Sequence, residues 1–204
     1  MIPVLPLAYL PPVEYMAWLL QQKTVYFNNT DHFQKQTYRN RCVILGANGT
    51  LKLSVPIVHQ SGKTHQKENE VCIFNEVRWQ KQHWKSISIA YRSAPFFEFY
   101  EDDLKPHFET PSQNLWDLNF LLLEKITHLL DLSLSYKFIN FKPGQHKRME
   151  HLLNAKVKHP KDFPSYTQVF SDRLGFKSNL SVIDLLFNLG PQSESYLRAI
   201  PTII

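Results

Sequence analysis

Glycine is scarce, with six residues in 204. The chain accordingly lacks a Gly-rich phosphate loop, and no serine elbow, HExxH, CxxC or DxD stands in it either, which removes the chemistries those motifs carry. Cysteine is scarcer, with Cys42 and Cys72 alone. They have neither a metal-type spacing nor a disulfide framework, which fits core residues in a reducing compartment. No uninterrupted apolar run approaches the roughly 20 residues of a membrane span. The apolar opening MIPVLPLAYLPPVEYMAWLL has Glu14 as its one charged side chain, has no basic start, and is broken by Pro3, Pro6, Pro11 and Pro12. It reads as mature structure rather than a signal peptide, and a soluble cytoplasmic protein is expected. Charge of one sign is also in small excess: 23 Lys and Arg against 18 Asp and Glu leave +5. That is too little to imply nucleic acid, and the basic groups are not interleaved with an aromatic stacking platform. No metal site or cofactor is argued, because the acidic run Glu101, Asp102, Asp103 has no partner motif and reads as helix surface.

What is present is a globular composition, 43% hydrophobic and 13% aromatic, expected to form one α/β domain over 1–204. Residues 2–9 read as a buried strand, followed by a helix in PPVEYMAWLLQ with proline in its first turn. Strand, loop, helix is a Rossmann-like opening. After a second strand in TVYFN, the runs around Asn48-Gly49 predict a β-hairpin with those two as a type I′ turn. Ile44 then faces Leu53, and Cys42 faces Val55. A polar loop covers 59–70. Helices are predicted in RWQKQHWKSISIAYRS, PFFEFYEDDLKPHF and NLWDLNFLLLEKITHLLDL, then a strand near SYKFI, a polar segment over 142–164, and two C-terminal helices broken at Gly190-Pro191.

The stretch FQKQTYRNRC carries the candidate binding residues. If the hairpin strand extends back through it, period two puts Lys35, Thr37, Arg39 and Arg41 on one face. Gln36, Tyr38 and Asn40 fall on the other, with Cys42 and Ile44. Guanidinium forks suit carboxylate and phosphate, so the cationic face is an anion site or a solvated surface. The amides of Gln36 and Asn40 need partners if buried, and backbone groups could supply them. On the first long helix, Arg78, Lys81, Lys85 and Arg92 form a basic stripe, a solvated face or a docking surface. His83 falls amid the opposite, apolar side, where it is either a satisfied core histidine or a pocket residue with a shifted pKa.

KQTYRNRCVI, HWKSISIAYRSAPFFEFY and NLSVIDLLFNLGP, together with AYLPPVEY, resemble the WbqC-like protein family in its Bacteroidetes branch, over residues 8–197. The resemblance implies a role in bacterial O-antigen and related surface-polysaccharide synthesis, with a transferase acting on a nucleotide sugar or acyl donor. The broader family's His-Gln-Pro at the end of the first strand is replaced here by Leu7, Ala8 and Tyr9. On this reading Lys35, Gln36, Tyr38, Arg39, Asn40 and Arg41 bind substrate and His83 is the general base. The alternative is a non-catalytic anion- or partner-binding protein of the same pathway.

Overall fold

The computed structural model describes residues 1–58, 66–156 and 163–201. Its centre is a four-stranded parallel sheet of β1 (Ile2–Val4), β2 (Val25–Phe27), β5 (Tyr136–Phe138) and β6 (His146–Arg148), in the order β5-β2-β1-β6. A separate antiparallel hairpin joins β3 (Arg41–Gly46) to β4 (Gly49–Ser54). The α/β class, the hairpin and the C-terminal helices follow the expectation from sequence. β6 does not, since it lies inside what reads as a polar connection.

The first strand ends at Val4 instead of residue 9, yet Leu5 to Leu10 stay buried as non-strand backbone. Leu10 turns there with φ 43°, a conformation that a buried non-glycine residue holds only when its surroundings enforce it. The surroundings come from the far end of the chain. Ser181 Oγ donates to the Leu10 carbonyl at 2.8 Å, and the Val182 N–H donates to the Pro11 carbonyl at 2.8 Å. Helix α1 (Val13–Leu20) starts just after Pro12, and its first free donors are met from the same region. Val13 N–H donates to Leu180 O, and Glu14 N–H to Asn179 Oδ1, both at 2.9 Å. A distant asparagine thus does the work of a helix cap.

Helix α2 (Trp79–Tyr91) buries Trp79, His83, Ile87, Ala90 and Tyr91, the stripe that a 3.6-residue period allows. The sequence PFFEFYEDDLKPHF forms two helices rather than one, α3 (Phe97–Leu104) and α4 (Pro106–Glu109), with Pro106 opening the second. Helix α5 (Leu115–Leu129) begins where Asn114 Oδ1 accepts from the Trp116 and Asp117 backbone N–H groups. The chain finishes with α6 (Ser171–Leu174), α7 (Val182–Leu189) and α8 (Ser193–Ala199). Gly190 ends α7 at φ 52°. One continuous apolar cluster runs from Leu5 to Ile200. No helix among the described residues is long and apolar enough to cross a membrane.

The hairpin departs from its predicted register by two residues. Ile44 pairs with Leu51 and Cys42 with Leu53, so Ala47 and Asn48 form the turn and Gly49 follows it at φ 117°. A turn closed by a glycine with positive φ displaces the two-residue Asn-Gly turn. A two-residue shift preserves faces, and Cys42, Ile44, Leu53 and Val55 are all buried together. The strand does not extend back to residue 35. Gln36 has φ 63°, and Tyr38–Asn40 form a single 3-10 turn capped by Thr37, whose hydroxyl accepts from Arg39 N–H. The polar loop predicted over 59–70 lies partly outside the described residues, at 59–65, and so does 157–162 of the polar 142–164 segment.

Candidate functional site

Strand order reverses between β1 and β6, and in open parallel sheets ligands bind beyond the carboxyl ends of the strands at such a reversal. Those ends are charged here. Just past β2, Asp31 accepts from Arg148, the last residue of β6, through both Nε and Nη2. Just past β6, Glu150 Oε1 accepts from Arg39 Nη2 at 2.8 Å, while Arg39 Nε donates to Glu68 Oε1 at 2.6 Å. Arg39 is 1% exposed. Its backbone carbonyl accepts from Asn119 Nδ2 at 2.7 Å, which ties the 3-10 turn to α5. Burial pushes the Glu68 carboxyl up to about 7, against the opposing pull of Arg39. Glu150 Oε2 is buried and has no hydrogen-bond partner among the described residues.

Beside this cluster lies a cavity of about 270 Å³, formed by Gln34, Lys35, Gln36 and Thr37 from one side and by Glu150, His151, Asn154 and Lys156 from the other. Its two walls are joined by a β-bridge between Thr37 and Asn154. The left-handed turn at Gln36 is what swings this segment out of strand geometry and against the 150–156 segment. Two lysines line it beside one carboxylate, Glu150, and with Arg39 they make three cations against Glu150 and Glu68. The local field therefore favours an anion, and the amides of Gln34, Gln36 and Asn154 offer neutral donors beside it. The volume suits a phosphate-, carboxylate- or sugar-sized group.

Of the residues singled out in sequence, the structure brings Lys35 and Gln36 to this cavity. Arg39 stands behind it, holding Glu150. Tyr38 is half-buried, and its carbonyl accepts from Tyr9 N–H at 2.9 Å. Asn40 Nδ2 donates to the Val55 carbonyl at 3.0 Å, so this amide finds a backbone partner. Arg41 begins β3, with its Nε buried and unpartnered among the described residues. His83 is elsewhere, 5% exposed, with Nδ1 2.8 Å from the Tyr9 hydroxyl and its ring also bonded to the Ser54 backbone. Burial lowers its pKa to about 4, so it is neutral at pH 7. Tyr9 is itself fully buried. Glu150, His151, Asn154 and Lys156 carried no signal in the sequence, because the strand that delivers them is three residues long.

The WbqC-like protein family model matches residues 8–159, a span that takes in every residue lining the cavity. The chain belongs to the WbqC-like family. One relative of this WbqC-like chain is the "Uncharacterized protein Rv1507c" of Mycobacterium tuberculosis, 28% identical over 196 residues, covering 81% of this chain and 84% of its own length. No solved structure matches.

Proposed function

We propose that the chain binds a phosphate- or carboxylate-bearing small molecule in the cavity at the carboxyl end of the sheet. Lys35 and Lys156 take its charge, and Gln36 and Asn154 orient it. The observation that carries this reading is the convergence of two lysines from segments far apart in sequence on one cavity, at the reversal of strand order. In the fuller form, the ligand is an activated donor, a nucleotide sugar or acyl thioester, and the protein is a cytoplasmic transferase in bacterial surface-polysaccharide synthesis. Membership of the WbqC-like family, with the resemblance of four motifs to its Bacteroidetes branch, is what supports that form. Arg39 acts here as a positioning residue that aligns Glu150. Tyr38, Asn40 and Arg41 shape the turn that presents Lys35, and His83 keeps the core in register.

The test is a thermal-shift and calorimetric screen of nucleotide sugars, acyl thioesters and inorganic phosphate against the wild type and Lys35→Ala/Lys156→Ala. At least one anion should raise the wild-type Tm, and the double variant should lose that rise while its unliganded Tm stays unchanged. Equal stabilisation of both proteins would overturn the assignment. The second reading is a non-catalytic anion- or partner-binding protein of the same pathway. Arg78, Lys81 and Lys85 favour it, because none of these exposed cations has an ion-pair partner among the described residues. It predicts binding without turnover.

A further inference from the structure

A second cavity, of about 710 Å³, lies along the amino-terminal half of α2. Trp84 and Phe108 form its floor, with ring centroids 5.4 Å apart, and Phe108 is 4% exposed. Val77, 44% exposed, and Pro111 extend the apolar wall. Arg78, Lys81 and Lys85 stand on the same cavity from one face of the helix. Their placement is unfavourable for the folded chain alone. Lys81 and Lys85 are like charges four residues apart, a spacing at which they repel on one helix face. Arg78 and Lys81 also sit at the positive end of the helix dipole, with no acidic residue in the first turn. The one carboxylate on the rim, Glu109, lies 3.7 Å from Lys105. An apolar trough edged, at a helix amino terminus, by three cations that have no ion-pair partner among the described residues is complementary to an apolar chain ending in an anion.

We propose that this cavity binds a single-chain amphiphilic anion, an acyl or alkyl chain carrying a terminal phosphate or carboxylate. The chain lies over Trp84, Phe108, Val77 and Pro111, and the head group sits among Arg78, Lys81 and Lys85. The cavity volume falls within the ordinary range for small-molecule sites, and each further methylene buried along its apolar wall strengthens binding. The site shares no lining residue with the cavity at the sheet end, so it stands whether or not that one binds anions.

Calorimetric titration with n-decyl phosphate, kept below its micelle concentration, tests it directly. Wild-type protein should bind decyl phosphate about tenfold or more tightly than decanol, which lacks the anion, or butyl phosphate, which lacks the chain. Lys81→Gln/Lys85→Gln, at exposed positions, should weaken binding about tenfold, and Val77→Ser should weaken it while sparing the head-group cations. Lys35→Ala/Lys156→Ala should bind as the wild type does. No binding, equal affinity for decanol or butyl phosphate, or affinity unchanged in both the Lys81/Lys85 and the Val77 variants would overturn the proposal. So would capture of an acidic peptide by this face without any affinity for decyl phosphate, which would assign the face to a protein partner.

Discussion

Removing the guanidinium of Arg39 would leave the buried Glu68 and the partly exposed Glu150 without the cation they share. Breaking a buried pair from one side costs about 3–5 kcal/mol. Arg39→Ala should lower stability by that order in urea denaturation at pH 8, and by less at pH 5, where Glu68 can take a proton. The pH dependence of Glu68 itself has a definite sign. Its folded pKa of about 7 lies above the ordinary 4.5, so the native state holds a proton that the unfolded state has released. That contribution is complete below 4.5 and is lost as pH rises through about 7. Glu68→Gln should therefore gain on the wild type between pH 5 and 8 when their urea midpoints are compared. His83 works in the opposite sense. Its folded pKa of about 4 lies below the usual 6.5, so its contribution is present above 6.5 and is lost as pH falls toward 4. The wild type should lose about 3 kcal/mol from this source by pH 4, and His83→Gln should flatten the profile below 6.5. Neither ion-pair partner of Arg39 was legible locally, since Glu68 is 29 and Glu150 is 111 residues away. A cation with distant buried partners and a cation facing water have the same sequence signature.

At the scale of the element, periodicity reads faces well and boundaries poorly. The buried stripe of α2 and the shared face of Cys42, Ile44, Leu53 and Val55 follow directly from spacing, because burial selects one side of an element. The hairpin register does not follow, because Asn48-Gly49 suits more than one turn and a shift by two residues leaves the faces intact. The extension through Lys35 failed for a different reason: the positive φ of Gln36 and the 3-10 turn of Tyr38–Asn40 are backbone conformations that alternation cannot reveal. The break at Gly190-Pro191 was legible, and the structure shows why glycine is required there. At φ 52°, a Cβ on Gly190 would sit 2.5 Å from the Phe96 ring. Gly190→Ala should cost roughly 2–4 kcal/mol, backbone strain and overpacking together, read as a lowered Tm with the α7 end loosened in hydrogen exchange.

Across the whole molecule, the span shared with the WbqC-like family model stops before α7. The fold does not stop there. Leu180, Ser181 and Val182 complete the hydrogen bonding of Leu10–Val13, and Gln21 Nε2 donates to the Ile200 carbonyl. A chain ended at residue 162 should lack a cooperative unfolding transition in circular dichroism, even though it keeps the whole of the family-matched span. The sheet adds a constraint on how the protein is made. Ile2 in β1 pairs with His146 in β6, so one flank of the central strand waits for nearly three quarters of the sequence. At about 5–20 residues per second this delay lasts on the order of 10–30 s on the ribosome. During that time β1 and the apolar segment behind it present an unpaired strand edge. The nascent chain is therefore a natural client for chaperones, and slowed elongation between β2 and β6 should raise the insoluble fraction without any change in the mature structure.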